Sequence, residues 1–429
     1  SGGREHTLTW KIKQSRYCDQ LFILPGNAGT AKLGKNVDLN PNDFEKVKDL
    51  VIEKDIGLVI VGPEEPLVNG IVDFFESQSE LKNIKIFGPS KKGAQLEGSK
   101  DFSKDFMFRN KIPCANSKTF HSKNIEEGFS FLEEISPPYV LKADGLAAGK
   151  GVLILDNIDD AKIELSEMLI NKKFGDASRS VLIEEFLDGI EVSVFFITDG
   201  KDYVLLPEAK DYKRIGDGDK GPNTGGMGAV SPVSFVDEDF MKKVKNKIVE
   251  RTINGLNSEK INYKGFIFAG LMNVNGEPYV IEYNVRMGDP ETQVVIPRLK
   301  NDLAEIILMC LEGDIGKVNT EFKKEYATTV ILASDGYPEK YTKGKKISKA
   351  YDDEGTLIFH AGTKLEGEEI ISNGGRVLAC TGFGSELNEA IENSYRKANE
   401  ILWDNKYFRK DIGSKAFKYL KKEDQQWLI

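Results

Sequence analysis

The chain is short of the residue types that carry most covalent and metal-centred catalysis. Its 429 residues include only four cysteines (Cys18, Cys114, Cys310, Cys380) and three histidines (His6, His121, His360). No cysteines stand in a C-x-x-C spacing and no histidine falls in an H-E-x-x-H pattern, which argues against a disulfide frame and a zinc centre. Long apolar runs are missing too: the longest, such as 192–197, are strand-sized, and no signal peptide opens the chain. Nor is there an excess of positive charge, since 59 Lys and Arg stand against 68 Asp and Glu with no basic stripe. These absences argue against nucleic acid and membrane as partners and leave a cytoplasmic enzyme as the expectation.

What is present points to several domains. Residues 1–98 alternate short apolar runs (21–24, 58–61, 84–87) with helical patterns (7–14, 43–53, 67–78). That alternation predicts an α/β unit with a parallel, doubly wound sheet, whose ligand loops lie at the strands' carboxyl ends. The chain opens on Ser1-Gly2-Gly3-Arg4-Glu5-His6, a turn that normally follows a first strand, so a strand is expected to be missing before it. His6 reads as a structural helix-start residue. From 99 onward the pattern is mixed, with a polar loop over 210–227, a helix over 237–256 and another over 291–311. The expected units are 1–98, 99–320, and a small α/β unit over 321–429 capped by the tail 415–429.

The most informative stretch lies at 281–291. Asn275-Gly276 between apolar runs predicts a hairpin. On its second strand Glu282, Asn284 and Arg286 alternate to one face, and Ile281, Tyr283 and Val285 to the other, buried face. A carboxylate and an amide oxygen suit Mg²⁺, and a guanidinium neutralises a phosphoryl group beside it. Taken alone, the triplet is as well explained by an exposed hairpin with a surface ion pair. Upstream parts must decide.

Lys142 ends an apolar strand and is followed by Ala143-Asp144-Gly145-Leu146-Ala147-Ala148-Gly149-Lys150-Gly151. Backbone N–H groups of such small residues can approach phosphate. The P-loop pattern fails, because Gly151 stands where Ser or Thr is required. A simple hairpin does not need so long a turn, so we read a phosphate flap with Lys142, Gly145, Gly149, Lys150 and Gly151. Farther on, Glu184 or Glu185 could accept a purine's exocyclic amine, the Leu187 N–H could serve a ring nitrogen, and Glu191 could hold ribose hydroxyls.

Lys142 with its flap, Glu184-x-x-Leu187-x-x-x-Glu191 and Glu282-x-Asn284-x-Arg286 follow the order and spacing of the ATP-grasp family, which 99–320 resembles. Gly98-Ser99-Lys100 resembles that family's other ATP-contacting lysine segment. The resemblance implies an ATP-grasp fold with a mobile lid (about 114–185), and ATP with Mg²⁺, or Mn²⁺ in its place, as cofactors. It implies metal ligands Glu282 and Asn284, and catalytic Arg286 and Lys142. Its reaction class is carboxylate–amine ligation through an acyl phosphate. One departure is Gly270, which falls where many members carry a further metal-binding acid.

Further motifs resemble more narrowly the phosphoribosylamine–glycine ligases, or glycinamide ribonucleotide synthetases. They are Gly2-Gly3-Arg4-Glu5-His6, Pro25-Gly26-Asn27-Ala28-Gly29-Thr30, Gly62-Pro63-Glu64, Ala143 to Gly151, Gly221-Pro222-Asn223-Thr224-Gly225-Gly226-Met227-Gly228-Ala229 and Gly288-Asp289-Pro290-Glu291. That resemblance implies glycine, 5-phosphoribosylamine and ATP as substrates, in a monomer or weak homodimer. Gly3, Arg4 and Glu5, with Gly26, Asn27, Ala28, Gly29 and Thr30, then become candidates for the sugar phosphate. Pro63 and Glu64 face the ribose. Asp211, Lys213, Arg214, Asn223, Thr224, Gly225, Gly226 and Met227, with Gly288, Asp289 and Pro290, complete the pocket. A biotin-carboxylase-like or formate-using ATP-grasp enzyme is the nearest alternative, disfavoured by the motifs at 25–30, 62–64 and 221–229. A non-catalytic nucleotide-binding regulator is disfavoured by Glu282, Asn284 and Arg286 occurring together.

Overall fold

The computed structural model describes residues 1–145 and 151–414; the expectation for 415–429 lies outside them. Strand Tyr263–Val274 is the spine. It runs antiparallel to Ile190–Thr198 on one side and to Glu277–Asn284 on the other. At its start, Tyr263 and Lys264 face Pro89 and Gly88 of strand Lys85–Pro89, which lies parallel to Leu58–Ile60. One sheet therefore passes from the N-terminal unit into the central one. Alternation buries both of its faces: Val192, Val194 and Phe196 enter one core, Phe195 and Ile197 the other. The N-terminal parallel sheet is present as two separate pairs, this one and Phe22–Ile23 with Lys35–Asn36.

A second sheet, in the order Ser117–His121, Ser180–Glu185, Tyr139–Ala143, Val152–Leu155, lies within the segment expected as the lid. Helices Ile125–Glu134 and Ile158–Leu169 cover it through Phe131, Leu132, Leu165 and Met168. The third sheet runs Lys210–Asp211, Gly228–Ser231, Tyr326–Ala333, Arg376–Gly384, Thr356–His360, with helix Leu387–Glu400 packed against it. Two of its strands come from 210–231, so the unit expected over 321–429 does not close on itself.

Three helix expectations change, each for a local reason. The helix read over 67–78 is two, Glu64–Asn69 and Ile71–Ser77, because Gly70 takes the left-handed conformation (φ 94°) between them. The helix read over 291–311 is a single turn, Thr292–Val295, then a tighter turn carrying Pro297, then Leu303–Glu312 capped by Asp302. The first helix starts earlier, Gly3–Ile12, where the Glu5 carboxylate accepts from the Gly2 N–H at 2.6 Å. No helix among the described residues is long and apolar enough to cross a membrane.

The N- and C-terminal units meet at two buried histidines. His6 Nδ1 accepts from the His360 backbone N–H at 2.7 Å, and the Asn27 amide donates to the His360 carbonyl at 2.8 Å. Burial lowers both imidazoles, to about 4 for His6 and about 3 for His360. The unfolded chain takes up these protons near the ordinary histidine value, the folded chain only well below it, so stability falls as pH drops through that window. For His6 alone the loss amounts to about 3 kcal/mol. Denaturant unfolding at pH 7 and pH 5, both still above the folded values, should show about 2 kcal/mol of loss for each histidine in the wild type and a flatter dependence in a His6→Gln/His360→Gln variant. Equal slopes would assign the acid lability elsewhere.

Candidate functional site

The hairpin turn forms as its sequence demands: Asn275 (φ 52°) and Gly276 (φ 83°) both take left-handed backbone, the twist that suits a two-residue turn. Farther along, the register slips. Glu282 faces Gly270, but the next partner pair is Leu271 with Val280, so Ile281 is an unpaired bulge. The buried side is therefore Val280, Tyr283 and Val285 rather than the expected Ile281, Tyr283 and Val285, and Ile281 is displaced from that core. The bulge leaves Glu282 exposed, with no ion pair or hydrogen bond to a described residue. Asn284 is 7 % exposed and its amide nitrogen has no partner. The Glu282 carboxylate and the Asn284 amide oxygen are the oxygen type that fits Mg²⁺, which takes few protein ligands and fills its shell with phosphate oxygens and water, while the unpartnered Asn284 nitrogen is a donor left for an acceptor. No group of three or more His, Cys, Asp or Glu side chains that could hold a metal ion exists among the described residues.

Three elements bring cations to this strand end. Lys142 on the lid sheet lies 2.7 Å from Glu184 Oε2, and buried Lys104, which sequence reasoning missed, lies 3.1 Å from Oε1. Burial alone would raise the Glu184 carboxyl, but the two ammonium groups outweigh it and hold it below the ordinary value. Burial lowers Lys100, opposed by the charge of Glu282 and aided by Lys142. Its Nζ donates to the Gly145 carbonyl at 3.1 Å, and its backbone N–H to Asp144, another missed residue, at 2.6 Å. Gly151 closes the flap by accepting from the Ala143 N–H at 2.8 Å. Gly149 and Lys150 lie outside the described residues. Glu185 turns outward and accepts from the Asn116 N–H at 3.0 Å, so only Glu184 joins the cluster. The Leu187 N–H is left without a described partner.

Across the strand end, Lys213 Nζ lies 2.6 Å from Glu191 Oε2. Burial works against the Lys213 charge, yet Glu191, Asp211 and Glu282 together raise it well above the ordinary lysine value. Burial, and after it the charge of Asp211, push buried Glu291 up to about 8. Asp211 is raised as well, by burial first and with Glu191 adding to it. A neutral Glu291 reduces the negative charge of a cleft meant for anions. The sequence motif Gly288-Asp289-Pro290-Glu291 includes this residue, but the resemblance assigns a site role only to Gly288, Asp289 and Pro290.

The substrate candidates divide. Arg4 Nε is 2.7 Å from Glu5, and Arg4 Nη2 and Arg286 Nε lie 3.5 and 3.3 Å from Glu64. Arg286 Nη2 is 2.6 Å from Glu97, a missed carboxylate that also accepts from the Val285 N–H at 2.8 Å. Arg286 therefore begins as a structural tie between the hairpin and the N-terminal unit. The Arg4 N–H donates to Asp289 at 3.3 Å, and Gln293 donates to the same carboxylate at 2.8 Å, so the start of the first helix meets carboxylates rather than open space. Asn27 and Thr30 are buried and satisfied within their own turn and by Asn36, with Ala28 packed in the core, so the 25–30 loop can offer ligands only its backbone. Gly26 (φ 82°) and Gly29 are required there: Asn36 lies against the first, and His6 and His360 against the second. Pro63 precedes the helix that carries Glu64. The expected 210–227 loop folds as a hairpin, Arg214–Gly216 with Lys220–Asn223, and Arg214 is tied to the Gly221 carbonyl, away from the cluster. Thr224 holds Gly226 N–H, while Met227 belongs to the C-terminal core.

Family models for phosphoribosylglycinamide synthetase match the chain in three parts: the N domain over 1–97, the ATP-grasp (A) domain over 98–292 and the C domain over 327–415. A bifunctional purine biosynthetic protein of Pichia angusta is 44% identical, over 97% of this chain and 53% of that protein. The phosphoribosylamine–glycine ligase of Chlorobaculum tepidum is 43% identical over 97% of this chain and 98% of that one. The chain thus spans about half the length of the bifunctional relatives it matches. Its fold is similar to the crystal structure of phosphoribosylamine–glycine ligase from Thermotoga maritima, with a TM-score of 0.82 and 37% identity, covering 96% of this chain and 98% of that one. The biotin carboxylase domain of Hydrogenobacter thermophilus 2-oxoglutarate carboxylase shares the fold alone, at a TM-score of 0.72 and 18% identity over 99% and 93% of the two chains.

The Arg286–Glu97 pair sets a test of its own. Removing one partner of a buried pair strands the other charge, at a cost of about 3–5 kcal/mol. Arg286→Met should lower the unfolding free energy by that order, and adding Glu97→Gln should restore most of it. If the double variant is no more stable than the single one, the pair is not the tie described.

Proposed function

The chain belongs to the phosphoribosylglycinamide synthetase family, and from that premise we propose that it joins glycine to 5-phosphoribosylamine at the expense of ATP, giving glycinamide ribonucleotide, ADP and phosphate. The observation that carries this reading is the strand end at Glu282 and Asn284, a carboxylate and an amide side by side, where the charge of Glu282 acts on Lys100 from one side and Lys213 from the other. ATP-grasp enzymes bind ATP and a divalent metal. In the reading offered here Glu282 and Asn284 hold Mg²⁺, with Mn²⁺ able to replace it, and the ion supplies charge neutralisation at the phosphates.

The chemistry needs no nucleophile from the protein. The glycine carboxylate attacks the γ-phosphorus, ADP leaves, and the amine nitrogen then attacks the glycyl carbonyl, loses a proton and expels phosphate. What remains for the chain is positioning and charge. Lys142 and Lys100 meet the phosphates, the Leu187 N–H and the Glu184 region the purine, and Glu191 the ribose. Lys213, with Asp211, Gly288 and Asp289, borders the acceptor side. Arg286 adopts a stabilising role by exchanging Glu64 for a phosphoryl oxygen. The lid excludes water that would hydrolyse the acyl phosphate.

ADP release should require glycine and freshly made phosphoribosylamine together; the same ADP output with glycine left out would identify a different acceptor. Glu282→Gln should raise the Mg²⁺ concentration that half-saturates nucleotide binding by about tenfold or more, read by titration of a fluorescent ATP analogue. An unchanged Mg²⁺ dependence would place the ion elsewhere.

A further inference from the structure

A side chain from the C-terminal unit reaches into the centre of the cleft. Arg376 opens strand Arg376–Gly384, and its Nη1 donates to the backbone carbonyls of Gly225 (2.6 Å), Gly226 (3.3 Å) and Asp289 (2.6 Å). The same nitrogen lies 3.6 Å from Asp289 Oδ1. Tyr337 takes the other end of the Gly225 residue, its hydroxyl oxygen accepting from the Gly225 N–H at 3.1 Å. Gly225 has no room for more: a Cβ there would lie 2.9 Å from Arg376 Cζ. Gly226 is left-handed (φ 110°) and packs against the Pro290 ring. Immediately afterwards the chain enters the C-terminal sheet, with Gly228 opposite Val330.

Three carbonyl oxygens and a carboxylate thus converge on one guanidinium. Oxygens of that kind repel one another, and a cation between them sets the spacing of the two segments that carry them. Those segments, 224–227 and 288–291, belong to the acceptor side of the cleft. The nucleotide-facing groups Lys142, Glu184 and Leu187 sit on the lid sheet and its exit, and make no hydrogen bond or ion pair with either C-terminal residue.

We propose that Arg376, assisted by Tyr337, is a positioning residue for the amine substrate: the C-terminal unit holds the 224–227 loop and the 288–291 turn at the separation that ligand needs. This rests on the reading of those segments as the phosphoribosylamine pocket. All of these contacts are made by Nη1, so a lysine ammonium, which is a shorter point charge, could replace part of them.

The test compares Arg376→Met, Arg376→Lys and Tyr337→Phe in the full chain, with steady-state kinetics and hydrogen exchange read together. In Arg376→Met the KM for phosphoribosylamine should rise about tenfold or more, while the KM for ATP stays within about twofold. Arg376→Lys should recover part of the loss, and Tyr337→Phe should shift the same constant by less. Amide exchange over 221–229 should quicken in Arg376→Met and stay unchanged over 181–191. Equal rises for ATP and the amine, or an unchanged amine KM, would overturn the proposal. Should Arg376→Met fail to fold, the other two variants carry the same comparison. If the wild type forms no glycinamide product, the functional reading fails separately. Exchange over 221–229 then decides the clamp, with acceleration supporting it and no change overturning it.

Discussion

A cleft that gathers this many cations has to be neutral enough to fold before any ligand arrives, and the fold is arranged around that constraint. Leaving one ammonium or guanidinium unmatched away from water costs several kcal/mol, comparable to the whole stability of a domain. Most of the basic groups therefore meet a carboxylate: Glu184 is shared by Lys142 and Lys104, Glu191 takes Lys213, Glu5 takes Arg4, and Glu97 with Glu64 takes Arg286. Under the proposed reaction the phosphates compete with these carboxylates. Lys104 then acquires a purpose, because Glu184 keeps one cation when Lys142 turns to the nucleotide.

The same constraint explains why two acids in the cleft are raised rather than lowered. Asp211 and Glu291 are removed from water and close enough to feel one another, so both cannot easily carry charge. Lys213 offsets part of that, but it is already committed to Glu191. The acceptor side is less negative than its residue list suggests, which suits a site for a carboxylate and a sugar phosphate.

How much of this was legible depended on whether the decisive partner was near in sequence. The Asn275-Gly276 turn and the Glu282 strand are local patterns, and the structure forms both; most of the flap expected after Lys142 lies outside the described residues. The bulge at Ile281 was not legible, because register is set by the opposing strand and not by the alternation of one. Gly70 and Pro297 were visible as residues, but continuous apolar periodicity on either side masked the breaks they impose. Glu97, Lys104, Tyr337 and Arg376 carry no motif; each matters only through a residue between 80 and 190 positions away. Asn27 and Thr30 are the converse case. Their motif was plain, but Asn36 and His360 claim the side chains that seemed free for a ligand.

The third sheet shows why the units act as one molecule. Two of its strands, 210–211 at one edge and 228–231 beside it, flank the loop read as the acceptor side, which is therefore suspended from the C-terminal unit at both ends. The spine strand Tyr263–Val274 fixes the hairpin and, through Lys85–Pro89, the N-terminal unit. The lid sheet stands apart by comparison, joined to the rest through Glu184 and Lys104 and through Asp144 and Lys100 rather than by shared strands. Hydrogen-bonded strands resist relative motion, whereas ion pairs in an open cleft can exchange partners. Under the proposed function, this architecture would hold the Glu282 strand and the 224–227 and 288–291 segments at fixed separation while the 117–185 sheet is tied by exchangeable pairs, a division of labour that suits a reactive acyl phosphate.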